Sequence, residues 1–273
     1  MTDRSTTLSS ASAGDLIREW RRRRRLTQLE LAADAGISQR HLSFLESGRA
    51  RPSRGMILRL ADELDVPMRE RNALLVAAGF APAYGGRDLA DSAMAVPRAA
   101  VEQILERQMP HPALAVDRLW NLVAANRAVQ VLMADVDAEL IRPPLNVLRL
   151  SLHPRGLGPR IRNLRAWRHH LFARLERQVE VAADSDLATL LDELREYPLP
   201  ADARPYRPAG PPDPALIAIP LEVTVGEETL RFLTTTTVFG TALDILLAEL
   251  TIESLYPADT ATAAAMHRLA GDG

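Results

Sequence analysis

The stretch WRRRRRLTQLELAADAGISQRHLSFLESGRARP, Trp20 to Pro52, holds two short helical patterns joined at Gly36. Thr27 is a strong N-cap, and Leu31, Ala32 and Ala35 behind it share one face. Gly36 predicts a tight turn with positive φ. Ile37 then plugs the core, and Ser38 caps the next helix, in which Leu42 and Leu45 face inward and which Gly48 ends. Working outward, the pattern stays helical. Upstream, Leu16, Ile17 and Trp20 form one face behind capping residues in Ser9–Asp15; downstream, a fourth helix follows Ser53 and Pro67 opens a fifth. The five arginines Arg21–Arg25 must point all round a helix that turns about 100° per residue. They are expected to be a solvated face with stems along the core edge, attracting a polyanion diffusely with one or two phosphate contacts. The alternative is a face that touches no nucleic acid.

Two short helices joined by a glycine-centred turn inside an all-helical unit make a helix-turn-helix. Thr27-Gln28, Leu31-Ala32, Ala35-Gly36-Ile37-Ser38, Ser43, Leu45-Glu46, Gly48-Arg49 and Pro52 form a dense string that resembles the XRE family, named for phage-type repressors. The resemblance implies a double-stranded DNA operator as partner. The helix beginning at Ser38 would enter the major groove with Gln39, Arg40 and Ser43 at base edges, Gln suiting adenine and Arg suiting guanine. Phe44 or His41 would meet a thymine methyl or a phosphate, His41 being equally readable as a plain surface residue. Gln28 corresponds to a phosphate-binding position of the family, and Arg49 and Arg51 resemble further backbone contacts, which set register rather than sequence.

The charge distribution agrees. Residues 1–80 carry 14 Arg against 10 Asp and Glu, whereas the remainder carries 19 against 25, so the basic excess sits at one end. All 33 basic residues are arginine, a bias that extends into the acidic half and so reads as base composition rather than phosphate recognition. The absence of cysteine excludes disulfides, thiolate catalysis and cysteine-ligated zinc. No run of about twenty apolar residues is present. With no apolar segment in MTDRSTTLSSASAGD to act as a secretory signal, a cytoplasmic protein without membrane contact is expected.

The expected organisation is a disordered tail (1–13), a five-helix domain (14–80), a linker (81–96) rich in Gly, Pro, Ala and Asp, and a second domain (97–273). In the last, RAAVEQILERQ reads as a helix. LAVDRLWNLVAANRAVQVLM reads as two short strands turning near Trp120-Asn121 and passing into a helix after Asn126. Helical patterns run from Leu145 to Tyr197, followed by a proline-rich crossing at 199–214. A hairpin then pairs LIAIPLEVTV with TLRFLTTTTVF, a further strand is read in LAELTIESLYP, and a helix follows Asp259. Few strands with helices between them predict an α+β sheet with helices packed on it.

Pro112-Ala113, WNLVAANRA at 120–128, NVLRL at 146–150, Trp167 and LEVTVGEETLRFLTTTT at 221–237 resemble the ligand-binding domain of the MmyB-like transcription regulators. The resemblance implies a bacterial regulator, a PAS-like fold with a small antiparallel sheet, and a fatty acid or other acyl ligand; no further cofactor is expected. The prolines of the 198–215 crossing depart from the family pattern. Candidate pocket walls are Trp120, Leu148, Trp167, Phe172, Phe232 and Thr236, each also readable as ordinary packing. Asn126, Asn146, Arg149 and His153 are candidate partners for a head group, since a buried carboxylate must be paired; Asn126 instead suits a cap for the following helix. No catalytic motif is found: G-x-S-x-G, H-E-x-x-H and G-x-x-x-x-G-K-[ST] are absent. His169-His170 would point about 100° apart on a helix and make a poor metal pair. The sequence therefore reads as a homodimeric DNA-binding regulator that senses a small apolar ligand. Its rival is a regulator whose second domain serves only dimerisation or protein contact.

Overall fold

A computed structural model describes residues 11–86, 91–201, 203–206, 219–240 and 244–271. Residues 11–86 with Asp244 and Ile245 form one compact unit, and the other described residues form a second.

The first unit comprises α1 (Ala13–Arg23), α2 (Gln28–Asp34), α3 (Gln39–Glu46), α4 (Arg54–Glu63) and α5 (Met68–Ala77). Local chemistry sets the boundaries. Ser12 with Asp15 and Thr27 with Glu30 form capping boxes, Ser38 and Ser53 cap α3 and α4, and Pro67 precedes α5. Ala13, the last residue of the expected tail, is thus helical; residues 1–10 lie outside the described residues. Gly36 has φ +64° as the turn requires. Ile17, Trp20, Leu31, Leu42, Leu45, Ile57, Leu60, Leu64, Leu74 and Leu75 make the core. α1 approaches α3 so closely that a Cβ on Gly14 would lie 2.3 Å from the Leu45 carbonyl oxygen, so only glycine fits there.

The second unit contains α6 (Ala95–Glu106), β1 (Ala113–Val116), β2 (Leu122–Ala125), α7 (Val129–Met133), α8 (Val147–Leu152), α9 (Leu164–Ala182), α10 (Ser185–Arg195), β3 (Leu221–Val225), β4 (Glu228–Val238), α11 (Ile245–Glu249) apart from its first residue, β5 (Thr251–Pro257) and α12 (Thr260–Ala270). The sheet is antiparallel, in the order β2-β1-β5-β4-β3. This is the expected PAS-like α+β architecture. Gly226-Glu227 is the two-residue loop between the paired Val225 and Glu228, with φ +58° at the glycine, as a II′ turn demands. Strand alternation sends Leu221, Val223, Leu230, Phe232 and Leu255 into a core with Trp120, Leu148, Trp167, Leu171, Leu175 and Leu191. The opposite face contributes Ala113, Ala115 and Ile252 to a smaller cluster with Val101 and Leu105 of α6.

Three boundaries depart from the sequence reading. α6 starts at Ala95, inside the expected linker. Leu247–Glu249 are helical rather than the start of the last strand, which begins at Thr251. β3 begins after Pro220, which has no N–H to give a ladder; residues 216–218 of the expected strand, and 207–214 of the crossing, lie outside the described residues.

Candidate functional sites

The outer side of α3 is a polar surface. Leu42, Leu45 and Glu46 are buried, whereas Ser38, Gln39, Arg40 and His41 are exposed and Ser43 and Phe44 half-buried. The Ser38 hydroxyl accepts the His41 N–H at 3.1 Å as the N-cap. Arg49 and Arg51 are exposed in the loop that follows. The Arg40 and Arg49 guanidiniums both lie over the Phe44 ring, at 5.3 and 5.9 Å from its centroid, cation–π contacts that restrain the two side chains.

Behind this surface lies a buried charge cluster that the sequence reading missed. The Glu46 side chain is 1% exposed. Its carboxylate accepts two bonds from Arg21, at 2.6 and 2.8 Å, and one from the Gln28 amide at 2.9 Å. Arg18 donates to the Glu46 carbonyl. Burial pushes the Glu46 carboxyl up, but the bonds from Arg21 and Gln28 and the charges of Arg21 and Arg18 outweigh it, and the net shift is downward.

The expectation of an arginine run whose heads lie in solvent is corrected at Arg21, which is buried. Arg21 points inward because Glu46 waits there. Arg24 donates to the Leu64 and Asp65 carbonyls at 2.8 Å and lies over Trp20, and Arg23 pairs with Glu19 at 2.6 Å. Arg22 is exposed. Gln28, placed by resemblance on a phosphate, has its amide nitrogen turned to Glu46.

In the second unit, the candidate wall and head-group residues separate into three groups. Trp120 and Thr236 meet through Arg174, which sequence reading did not single out. The Arg174 guanidinium lies 4.5 Å above the Trp120 ring, grips Glu253 at 2.6 and 3.0 Å, and reaches the Thr236 hydroxyl at 3.0 Å. The register opposes Thr236 to Glu253, which explains the third contact. Trp120 also donates its indole N–H to Gln178 at 3.0 Å and sits at φ +65°, a conformation that costs a bulky residue about 1–3 kcal/mol. One turn before Arg174, His170 stacks on Trp167 at 5.6 Å; burial, then the charges of Arg174 and Arg177, hold its pKa down.

Arg149 and His153 form a second group at α8. Arg149 grips Glu193 at 2.6 and 2.8 Å, and the Tyr197 hydroxyl donates to Glu193 at 2.7 Å. Burial and that bond push Tyr197 up to about 12. The His153 ring meets Tyr197 edge-on at 5.1 Å.

The remaining candidates are built into the fold. Asn126 is buried and its side chain binds backbone: it donates to the Leu105 and His111 carbonyls at 3.0 and 2.9 Å and accepts from Ala113 at 3.1 Å. It does not cap the next helix, whose N-cap is Ala128. Asn146 caps α8 and donates to the Leu119 carbonyl at 2.7 Å. Leu148, Trp167 and Phe232 belong to one core, with Phe232 fully buried and the Trp167 N–H bonded to Ser151 at 3.1 Å. Phe172 is half-buried beneath Arg168 at 5.0 Å. A half-open apolar pocket of about 140 Å³ lies between α8, α9 and a strap at 198–200, walled chiefly by Leu152, Pro159, Leu164 and Leu199.

Among the described residues no helix is long and apolar enough to cross a membrane. The chain matches none of the curated proteins with which it was compared. Residues 17–71 match the family described as helix-turn-helix, of the XRE type, and residues 97–269 match that described as the MmyB-like transcription regulator ligand binding domain. Both are parts of a transcription regulator and not of an enzyme family. The second match alone spans more than half of the chain, which therefore belongs to the MmyB-like transcription regulators: a DNA-binding helix-turn-helix followed by a ligand-binding domain.

Proposed function

We propose that the protein is a bacterial homodimeric regulator that reads an operator with α3 and senses a fatty acid or acyl derivative in its second unit. The carrying observation is the division of α3, with Leu42, Leu45 and Glu46 holding one side in the core while Gln39, Arg40 and Ser43 present polar atoms on the other. Docked with this side in the major groove, Gln39 and Arg40 pair with base edges, and Arg49 and Arg51 hold the backbone. Two copies read half-sites about 34–36 Å apart. The acyl ligand shifts the equilibrium between two arrangements of the reading heads by its differential affinity for them.

Arg40→Ala is expected to cost about 1–3 kcal/mol against the preferred base and to flatten preference at that position. Arg51→Ala should weaken all sequences alike and lower the salt slope by about one. Binding titrations over a salt series check both; two variants indistinguishable from the parent would contradict the docking. Mass spectrometry of organic extracts from the purified chain, beside a mock purification, tests the ligand: a stoichiometric acyl species is expected.

The second reading, a module for dimerisation or protein contact alone, is favoured by the close packing of Trp120, Leu148, Trp167 and Phe232, each 0–6% exposed. An empty extract, with no thermal stabilisation by added fatty acids, would support it.

A further inference from the structure

The arginines of the first unit differ in what holds their heads. Arg21 gives two bonds to the Glu46 carboxylate, Arg24 donates to the Leu64 and Asp65 carbonyls, and Arg71 donates to the Val66 carbonyl and pairs with Asp62. Those donors are used inside the protein. Arg40 and Arg49 are held differently. Among the described residues neither guanidinium makes an ion pair or a hydrogen bond, and both lie over the Phe44 ring. An aromatic ring engages a guanidinium through its charge and occupies none of its five N–H groups. A carboxylate in the same place would take two of them, fork to fork.

Both the helix and the backbone place Phe44 for this. Arg40 lies four residues before it on α3, so the two share a face, the one turned away from Leu42 and Glu46. Arg49 comes from the following loop, which turns back at Gly48 with φ +70°. The Phe44 carbonyl accepts the Ala50 N–H at 3.1 Å and the Ser47 hydroxyl at 3.3 Å. The loop is thus fastened to the residue whose ring its arginine meets.

We propose that Phe44 is the positioning residue of the DNA reader: its ring holds Arg40 and Arg49 as one unit with their N–H donors free, so that the two meet the duplex together. The inference rests on the reading of α3 above, in which Arg40 pairs with a base edge and Arg49 holds the backbone. A guanidinium already restrained loses less freedom when it forms a bidentate pair with guanine. Because the restraint is shared, the backbone contact of Arg49 also steadies the ring on which Arg40 rests. Removing the ring therefore lowers discrimination while both charges remain.

Anisotropy titrations of the full chain on a duplex selected from a random pool, and on a scrambled duplex of the same composition, test this. Phe44→Leu keeps an apolar side chain without a ring. It should narrow the affinity ratio between the two duplexes by about two- to fivefold for each half-site, the equivalent of one exposed cation–π contact. Phe44→Tyr, which keeps the ring, should retain the parent's ratio. Arg40→Ala and Arg49→Ala should be coupled in the parent, the double variant binding the selected duplex about twofold or more tighter than the product of the single losses requires. In Phe44→Leu the two losses should simply multiply. Circular dichroism confirms that each variant is folded, and the arginine cycle in the parent needs no change at Phe44. Three results would each overturn the role of Phe44 while leaving α3 as the reader: a Phe44→Leu ratio equal to the parent's, a Phe44→Tyr ratio no better than that of Phe44→Leu, or arginine losses that multiply in the parent. Coupling that persists in Phe44→Leu would do the same. A ratio that Arg40→Ala leaves unchanged would overturn the reading of α3, and the role of Phe44 with it.

Discussion

Replacing Glu46 by alanine is expected to destabilise the first unit by about 3–5 kcal/mol, the cost of leaving a buried charge without its partner. Arg21 loses both of its carboxylate bonds, and the Gln28 amide loses its acceptor. The loss reaches the exposed side of α3, because Glu46 is the last residue of that helix and anchors it to α1 and α2. Glu46→Gln keeps an acceptor and should cost less. The same cluster has a pH signature. The Glu46 carboxyl has a folded pKa below its unfolded value, so its contribution is fully present above the unfolded pKa, near 4.3 for a glutamate. The contribution is lost as pH falls through the lower, folded value. Hydrogen exchange of the full chain, followed peptide by peptide, should show the α1–α3 amides losing protection in Glu46→Ala. The parent should lose it only in acid. Unchanged protection in the variant would mean that the cluster adds nothing to stability.

Arg174→Ala is the counterpart in the second unit, again at about 3–5 kcal/mol. Glu253 lies on β5, the middle strand, its side chain 8% exposed, and among the described residues keeps only the Thr236 hydroxyl as a hydrogen-bond partner when the guanidinium is removed. Trp120 loses the cation above its ring as well. Replacing both members with apolar side chains, Arg174→Met with Glu253→Leu, should recover most of the loss, since apolar replacements of a buried pair are often neutral or stabilising. Thermal unfolding of the parent, the single and the double variant decides this. A double variant no more stable than Arg174→Ala would show that the pair holds the fold through geometry that apolar packing cannot replace.

What could be read from the sequence was local. Thr27, Ser38 and Ser53 announce helix starts through their own side chains, and Gly36 and Gly226 announce turns through the φ that each supplies. The hairpin around Gly226 was legible for the same reason. The environments of the charged residues were not. Nothing near Arg21 distinguishes it from Arg22, since its partner lies 25 residues further on. Glu253, in the strand TIESLYP, looks like a solvent-facing acid until the β4–β5 register places Thr236 opposite it and α9 places Arg174 above. Asn126 resembles a cap by position, yet its three backbone bonds depend on α6 and β1 meeting around it. Each such residue takes its role from a contact between elements far apart in sequence, which periodicity and spacing do not encode.

The claim that α3 makes this chain a sequence-reading regulator is tested most directly by selection from a pool of random duplex DNA with the full chain. Fluorescence anisotropy of the winning sequence and of a scrambled duplex at the same salt concentration then follows. The account predicts a winner with two related half-sites about 10 base pairs apart, bound about 10³-fold or more tighter than the scrambled duplex. It also predicts that Arg40→Ala narrows that ratio. A pool that returns no common sequence, or a winner and scrambled duplex bound alike, would contradict it.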